Sequence, residues 1–101
     1  MLRFLAVFVG VLCVVGCAGA PVQEMSDARQ AIAAARAAGA TPASSPDFSA
    51  AESAIGRAEA HLQVQEYARA RMAAMEAKRH ASIALVNANG QHADTPAPTP
   101  R

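Results

Sequence analysis

The residues of this chain that could do chemistry are few: three histidines, two cysteines and a handful of carboxylates and serines. Glu76 and His80 are four apart and share a helix face. Neither they nor His61 has another His or a Cys at ligand spacing, and two donors fall short of the usual four-ligand metal site. His92 sits among prolines and small residues. No carboxylate pair has a spacing suited to acid–base work, and Ser53, Ser82 and the serines around Ser45 have no identifiable base. Glycine-rich phosphate loops and zinc patterns are absent from the sequence. The expectation is a protein that is not an enzyme, with no metal, no free cofactor and no identifiable small-molecule substrate. A metal-binding role for the histidines is the least favoured alternative.

The thiols are more informative. Arg3 gives the N-terminus a positive start, and Phe4 to Val15 is an almost unbroken apolar run. A helix of those twelve residues would be about 18 Å long, against roughly 30 Å of bilayer hydrocarbon. Such a run reads as the apolar part of a secretory signal rather than a membrane span. It ends in Val14-Val15-Gly16-Cys17, which resembles the lipobox of bacterial lipoproteins: an aliphatic residue, a small or aliphatic one, Gly or Ala, then Cys. Cys13 lacks a small residue ahead of it. The resemblance implies cleavage between Gly16 and Cys17, loss of residues 1–16 with Cys13, and a Cys17 carrying two acyl chains on glycerol and often a third on its amine. Two chains already anchor stably. Ala18, rather than Asp, follows the acylated position, which in such lipoproteins implies the periplasmic face of the outer membrane.

What remains after Gly16 is 85 residues with a thin stock of core material. Of its hydrophobic residues 26 are Ala, one is Cys17, and 13 are larger. Eight Lys and Arg balance eight Asp and Glu, so no net field favours a nucleic acid. The small chain excludes a multidomain enzyme, and the cysteine count excludes a disulfide scaffold.

The elements follow from spacing. Residues 17–21 form a short tether, with Pro21 suited to the first position of a helix. Met25, Ala28, Ile32 and Ala35 then mark one face of a helix over 22–38, closed by Gly39. A loop containing Pro42 leads to Ser45 as N-cap and Pro46 as first residue of a second helix over 46–63, preferred to a start at Ser49 with Glu52. Its stripe is Phe48, Ala51, Ile55, Ala58 and Leu62, with Gly56 lying within it. The stripe loses phase at residues 63–66, where a short turn is expected, although one continuous helix from Pro46 to Asn89 is an open alternative. A third helix over 66–89, ended by Gly90, carries Tyr67, Ala70, Ala74, Ala77, Ala81, Ala84 and Leu85 on one side. Met72, Met75, Ile83 and Val86 lie opposite. A helix apolar on two sides needs two neighbours: the two other helices of the chain, or one helix and a different protein. Glu66 with Arg69, and Glu76 with Arg79, are spaced as surface pairs. Residues 90–101, rich in Pro, are expected to be disordered.

Taken in order, Ala28-x-x-Ala31-Ile32-x-x-Ala35-Arg36-x-x-Gly39-Ala40, the Ser45-Pro46-Asp47-Phe48 loop, Ala51-Glu52-x-Ala54-Ile55-x-x-Ala58 and Tyr67-x-x-Ala70-Arg71 resemble a family of small Ala-rich bacterial lipoproteins with a helical domain of unknown function. The same domain also occurs ahead of OmpA-like peptidoglycan-binding modules. The resemblance spans residues 21–88. Where the family pattern usually has Gly-Asp before the Tyr, this chain has Gln65-Glu66. No OmpA-like module follows residue 88, so peptidoglycan binding is not implied.

The fold class expected is all-α, a short antiparallel helical hairpin or three-helix arrangement after a cleaved signal peptide. The function expected is a non-enzymatic outer-membrane lipoprotein, an envelope structural or adaptor protein anchored through Cys17. Its candidate partner surface is Met72, Met75, Ile83 and Val86, fitted to an envelope protein or to a second copy. The rival reading is an oligomeric coiled coil seamed by the alanines.

Overall fold

The computed structural model describes residues 19–93. The signal segment 1–16, Cys13, the Gly16–Cys17 cleavage site and the end of the tail, 94–101, lie outside the described residues. Among the described residues there are three helices and no strand: α1 (Val22–Ala37), α2 (Pro46–Gln63) and α3 (Tyr67–Ala93). The fold is all-α. The chain runs away from the tether along α1, returns along α2, and leaves again along α3, which packs extensively on both others while those two touch each other little.

Local chemistry sets the boundaries. Pro21 is buried at the N-cap of α1, one position earlier than expected, and Val22 is the first helical residue. At the other end the Ala40 N–H donates to the Ala35 carbonyl and the Gly39 N–H to that of Arg36, both at 3.0 Å. That pair of bonds closes the helix only if the residue after the cap is left-handed, and Gly39 has φ 103°. In the loop, Thr41 and Ser44 bond reciprocally: each backbone N–H donates to the other's hydroxyl, at 3.0 and 3.1 Å. Ser45 then caps α2, its Oγ accepting from the Phe48 N–H at 3.1 Å, with Pro46 at the first position where no N–H is missed.

The turn at residues 64–66 repeats the closing motif of α1. The Glu66 N–H donates to His61 and the Gln65 N–H to Leu62, at 2.9 and 3.1 Å. Here the left-handed position is Gln65, with φ 61°. The continuous helix from Pro46 to Asn89 is thereby overturned. It was open because Gln63, Gln65 and Glu66 all favour helix, and a glutamine is not the residue that advertises a left-handed turn.

Gly90 was expected to end the third helix, but α3 passes through it to Ala93, taking in four residues assigned to the tail. A helical glycine costs roughly 1 kcal/mol, which weakens a helix without stopping it, and Gly90 does not adopt the positive φ of a helix-terminating glycine. Gly56 likewise lies in open space: a Cβ there would meet nothing within 4 Å, so it serves no close helix contact.

The core is made mostly of methyl groups. Buried are Met25, Ile32 and Phe48, with thirteen alanines, seven of them on α3: Ala70, Ala73, Ala74, Ala77, Ala81, Ala84 and Ala88. Phe48 anchors one cluster with Ile32, Ala35, Ala40, Ala51, Ala81, Ala84 and Ala88. Met25 anchors the other with Ala28, Ala54, Ala58, Ala73, Ala74 and Ala77, and Ile55 packs against both. The stripes read from spacing are those that are buried, with Ala54, Ala73 and Ala88 added; Ile55, Leu62, Tyr67 and Leu85 are half-buried.

The strained residue offers a direct check. An L-residue in the left-handed region costs about 1 kcal/mol or somewhat more, and glycine gives part of that back through its greater freedom when unfolded. Gln65→Gly should raise the unfolding free energy by about 0.5 to 1 kcal/mol, read as a later denaturant midpoint at unchanged slope.

Candidate functional site

The four residues singled out opposite the alanine stripe all face outward. Met72 is 67% exposed, Met75 53%, Ile83 41% and Val86 68%. Both neighbours of α3 are therefore on its alanine side, and no other part of the described chain covers its second apolar side. The reason is steric: a surface of methyl groups is narrow and flat enough for two helices to nest side by side against it.

Arg79 lies between Met75 and Ile83 along this face, and two open grooves flank Met75. One, of about 590 Å³, is bordered by Met72, Arg57, His61, Arg69, Glu76 and Arg79. The other, of about 600 Å³, runs beside Ile83 and is bordered by Glu24, Asp27, Lys78 and Ser82. The face is thus an apolar strip with cations along it and carboxylates at both margins.

Those carboxylates are held by pairs that cross between helices. Arg71 donates to Glu24 at 3.2 Å and to the Gly19 carbonyl at 3.3 Å, and Lys78 lies 3.8 Å from Asp27, so α1 is tied to α3. On the opposite margin Arg57 makes a forked pair with Glu76 at 3.3 and 3.2 Å, tying α2 to α3. Arg29 with Glu59, and Arg36 with Glu52, at 3.3 and 3.2 Å, join α1 to α2. Arg36 also lies over the Phe48 ring, 5.6 Å from its centre. Of the pairs read from spacing, Glu66 does meet Arg69 at 3.4 Å. Glu76 pairs with Arg57 of α2 through two parallel bonds instead of with Arg79.

The histidines are drawn into the same girdle. His80 Nδ1 is 3.0 Å from Asp47 and its Nε2 4.0 Å from Glu76, while His61 is 3.3 Å from Glu66. His61 and His80 lie on different helices and do not converge. Among the described residues no group of three or more His, Cys, Asp or Glu is placed to hold a metal ion. The side chain of His92 lies outside the described residues. Pairs such as Asp47 with His80, or Glu24 with Arg71, could not be read from the sequence, since 33 and 47 residues separate them.

A family model described as a domain of unknown function, DUF4398, matches residues 23–95. The chain belongs to this family. The DUF4398 match begins within the first turn of α1 and extends past Ala93, so all three helices are part of one domain. No match was found among curated proteins or solved structures. Among the described residues, no helix of the DUF4398 domain is long and apolar enough to cross a membrane.

Glu76 gives the girdle a pH signature. Hydrogen bonds from Arg57 hold its carboxyl below the ordinary carboxylate range, against some desolvation, and the charges of Arg57, His80 and Arg79 add to the effect. A group lowered in this way stabilises the fold above its unfolded pKa, and the contribution disappears as pH falls through the folded value. Wild type and Glu76→Gln should therefore differ in denaturant midpoint at neutral pH and converge below the carboxylate range. A difference that persists in acid would show that Glu76 acts through packing rather than charge.

Proposed function

We propose that this DUF4398 protein is a non-enzymatic outer-membrane lipoprotein, anchored through acylated Cys17, whose helical domain acts as an envelope adaptor or structural module. The observation that carries the reading is the ordered series at the N-terminus: Arg3, the apolar run, then Val14-Val15-Gly16-Cys17. It gains support from the start of the folded domain at Val22, a few residues after the proposed lipid site. A chain anchored by lipid has no need of its own membrane span, and its folded part is free to use apolar side chains for a partner.

Met72, Met75, Ile83 and Val86 form the surface proposed to meet that partner. Their position opposite the two packed helices favours this use, since none of the four completes the core of the domain. The rival arrangement, an oligomer seamed along the alanines, draws less support. Ala70, Ala74, Ala77, Ala81 and Ala84 are already covered within one chain.

Cys17→Ser should abolish incorporation of radiolabelled palmitate and shift the protein from the membrane fraction to the soluble one. Unchanged processing and membrane association would overturn the lipoprotein reading. Separately, Ile83→Lys should leave stability within about 0.5 kcal/mol, as for other surface substitutions. In the intact envelope it should remove the crosslinks made by the wild-type domain. Crosslinks that persist unchanged would place the partner elsewhere.

A further inference from the structure

The tether has almost no slack. The Arg71 guanidinium donates to the Gly19 carbonyl at 3.3 Å and to Glu24 at 3.2 Å, so the chain entering α1 is clasped to the first turns of α3. From Gly19 back to Cys17 there are two Cα–Cα steps, a reach of at most about 7 Å. An acylated Cys17 has its glycerol at the level of the lipid headgroups. Whatever surrounds Gly19 must then stand within a headgroup's depth of the bilayer.

What surrounds it is one end of the bundle: the start of α1, the turn after α2 and the start of α3. Two apolar side chains project there with no core to join, Val22 at 72% and Val64 at 64% exposure. Arg69, its side chain 75% exposed, reaches back to Glu66 in the turn, and Tyr67, the first residue of α3, is half-buried. Small apolar tips, an aromatic with a polar end and an extended cation make a set suited to a headgroup layer. Both carboxylates at this end are paired, Glu66 with His61 and Arg69, and Glu24 with Arg71. The long side of α3, with Met72, Met75, Ile83 and Val86, runs away from this end along the bundle.

We propose that this end of the bundle, with Val22, Val64 and Arg69, is seated on the phospholipid headgroups of the membrane that holds Cys17, and that Arg71 is the clamp that keeps it there. The inference rests on the lipoprotein reading. In this pose α3 stands away from the membrane and carries Val86 outward. The loop between α1 and α2 lies at the far end of the bundle.

The test uses the full chain, purified from membranes and reconstituted in phosphatidylethanolamine–phosphatidylglycerol vesicles that contain a headgroup-quencher lipid. A fluorophore is attached in turn through Val64→Cys, Ala43→Cys and Val86→Cys, at the seated end, the far loop and the outer part of α3. Quenching should be several-fold stronger at position 64 than at 43 or 86. Arg71→Ala should remove the difference while the helical circular dichroism is retained. If that variant unfolds, a flexible Gly-Ser insertion between Ala18 and Gly19, which leaves the Arg71 contacts in place, tests the short tether and should also remove the difference. Mass spectrometry of the Cys17 peptide separates the two ideas. An unacylated peptide overturns the lipoprotein reading and the seat with it. If the peptide is acylated, equal quenching at 64 and 43 overturns the seat alone. Strong quenching at both 64 and 86 would mean that α3 lies flat, which also overturns it. Quenching at 64 that survives loss of Arg71 removes the clamp, and quenching that survives the added slack removes the short tether as its cause.

Discussion

Close approach of α3 to two helices at once is the constraint on which the rest of the molecule depends, and alanine is what allows it. Each buried methyl contributes little, about 0.8 kcal/mol on the scale of one CH₂. Many of them, placed at every turn from Ala70 to Ala88, bring the helices close along their length and so recruit backbone atoms into van der Waals contact. Alanine also carries the highest helix propensity, so the same residues that form the seam favour each helix before it packs. Larger side chains along this line would push one of the two partners away. Phe48 and Met25 are accommodated because each sits at the head of its own cluster, beside alanines on the facing helices.

Methyl seams fix separation better than register, because one alanine fits much like the next. The cross-helix polar pairs supply the missing information. Glu24 with Arg71 and Asp27 with Lys78 set α1 along α3, while Arg57 with Glu76 and Asp47 with His80 set α2 along it. Individually such partly exposed pairs contribute only about 0 to 1 kcal/mol. A slip of one turn would break several of them together and place like charges side by side.

The contrast between what spacing revealed and what it did not follows from range. Ser45-Pro46 and Gly39 act on their own neighbours within a few residues, so the ends of α1 and the start of α2 were legible, as were the buried stripes. Gln65 adopts a glycine-like conformation imposed by α3 folding back onto α2, a tertiary demand whose local sign is only the loss of phase in the apolar stripe at residues 63–66. The run of α3 past Gly90 was missed for the opposite reason: a local sign was present and too weak to act. For the candidate face, the sequence located Met72, Met75, Ile83 and Val86 on one side of a helix but left open whether the chain would cover them. That depended on whether two helices could share the alanine side, which is a matter of packing geometry.

The distribution of larger apolar residues then bears on function. Of thirteen after the proposed cleavage site, Met25, Ile32 and Phe48 are buried, four are half-buried, and Val22, Val64, Met72, Met75, Ile83 and Val86 are exposed. A small domain with so little core would gain stability from turning any of these six inward, and single exposed apolar residues are common enough to need no explanation. Here they are not scattered. Val22 and Val64 stand at the tether end, and the other four follow one line along α3, spanning about 21 Å from Met72 to Val86 at 1.5 Å per residue. Two separate apolar sites on one slender bundle, one at the end nearest Cys17 and one along the side, are what a module would need if it rested on a membrane and held something beside itself. The alanine core makes that arrangement attainable, because a fold held together by methyl groups leaves its larger apolar side chains available for the outside.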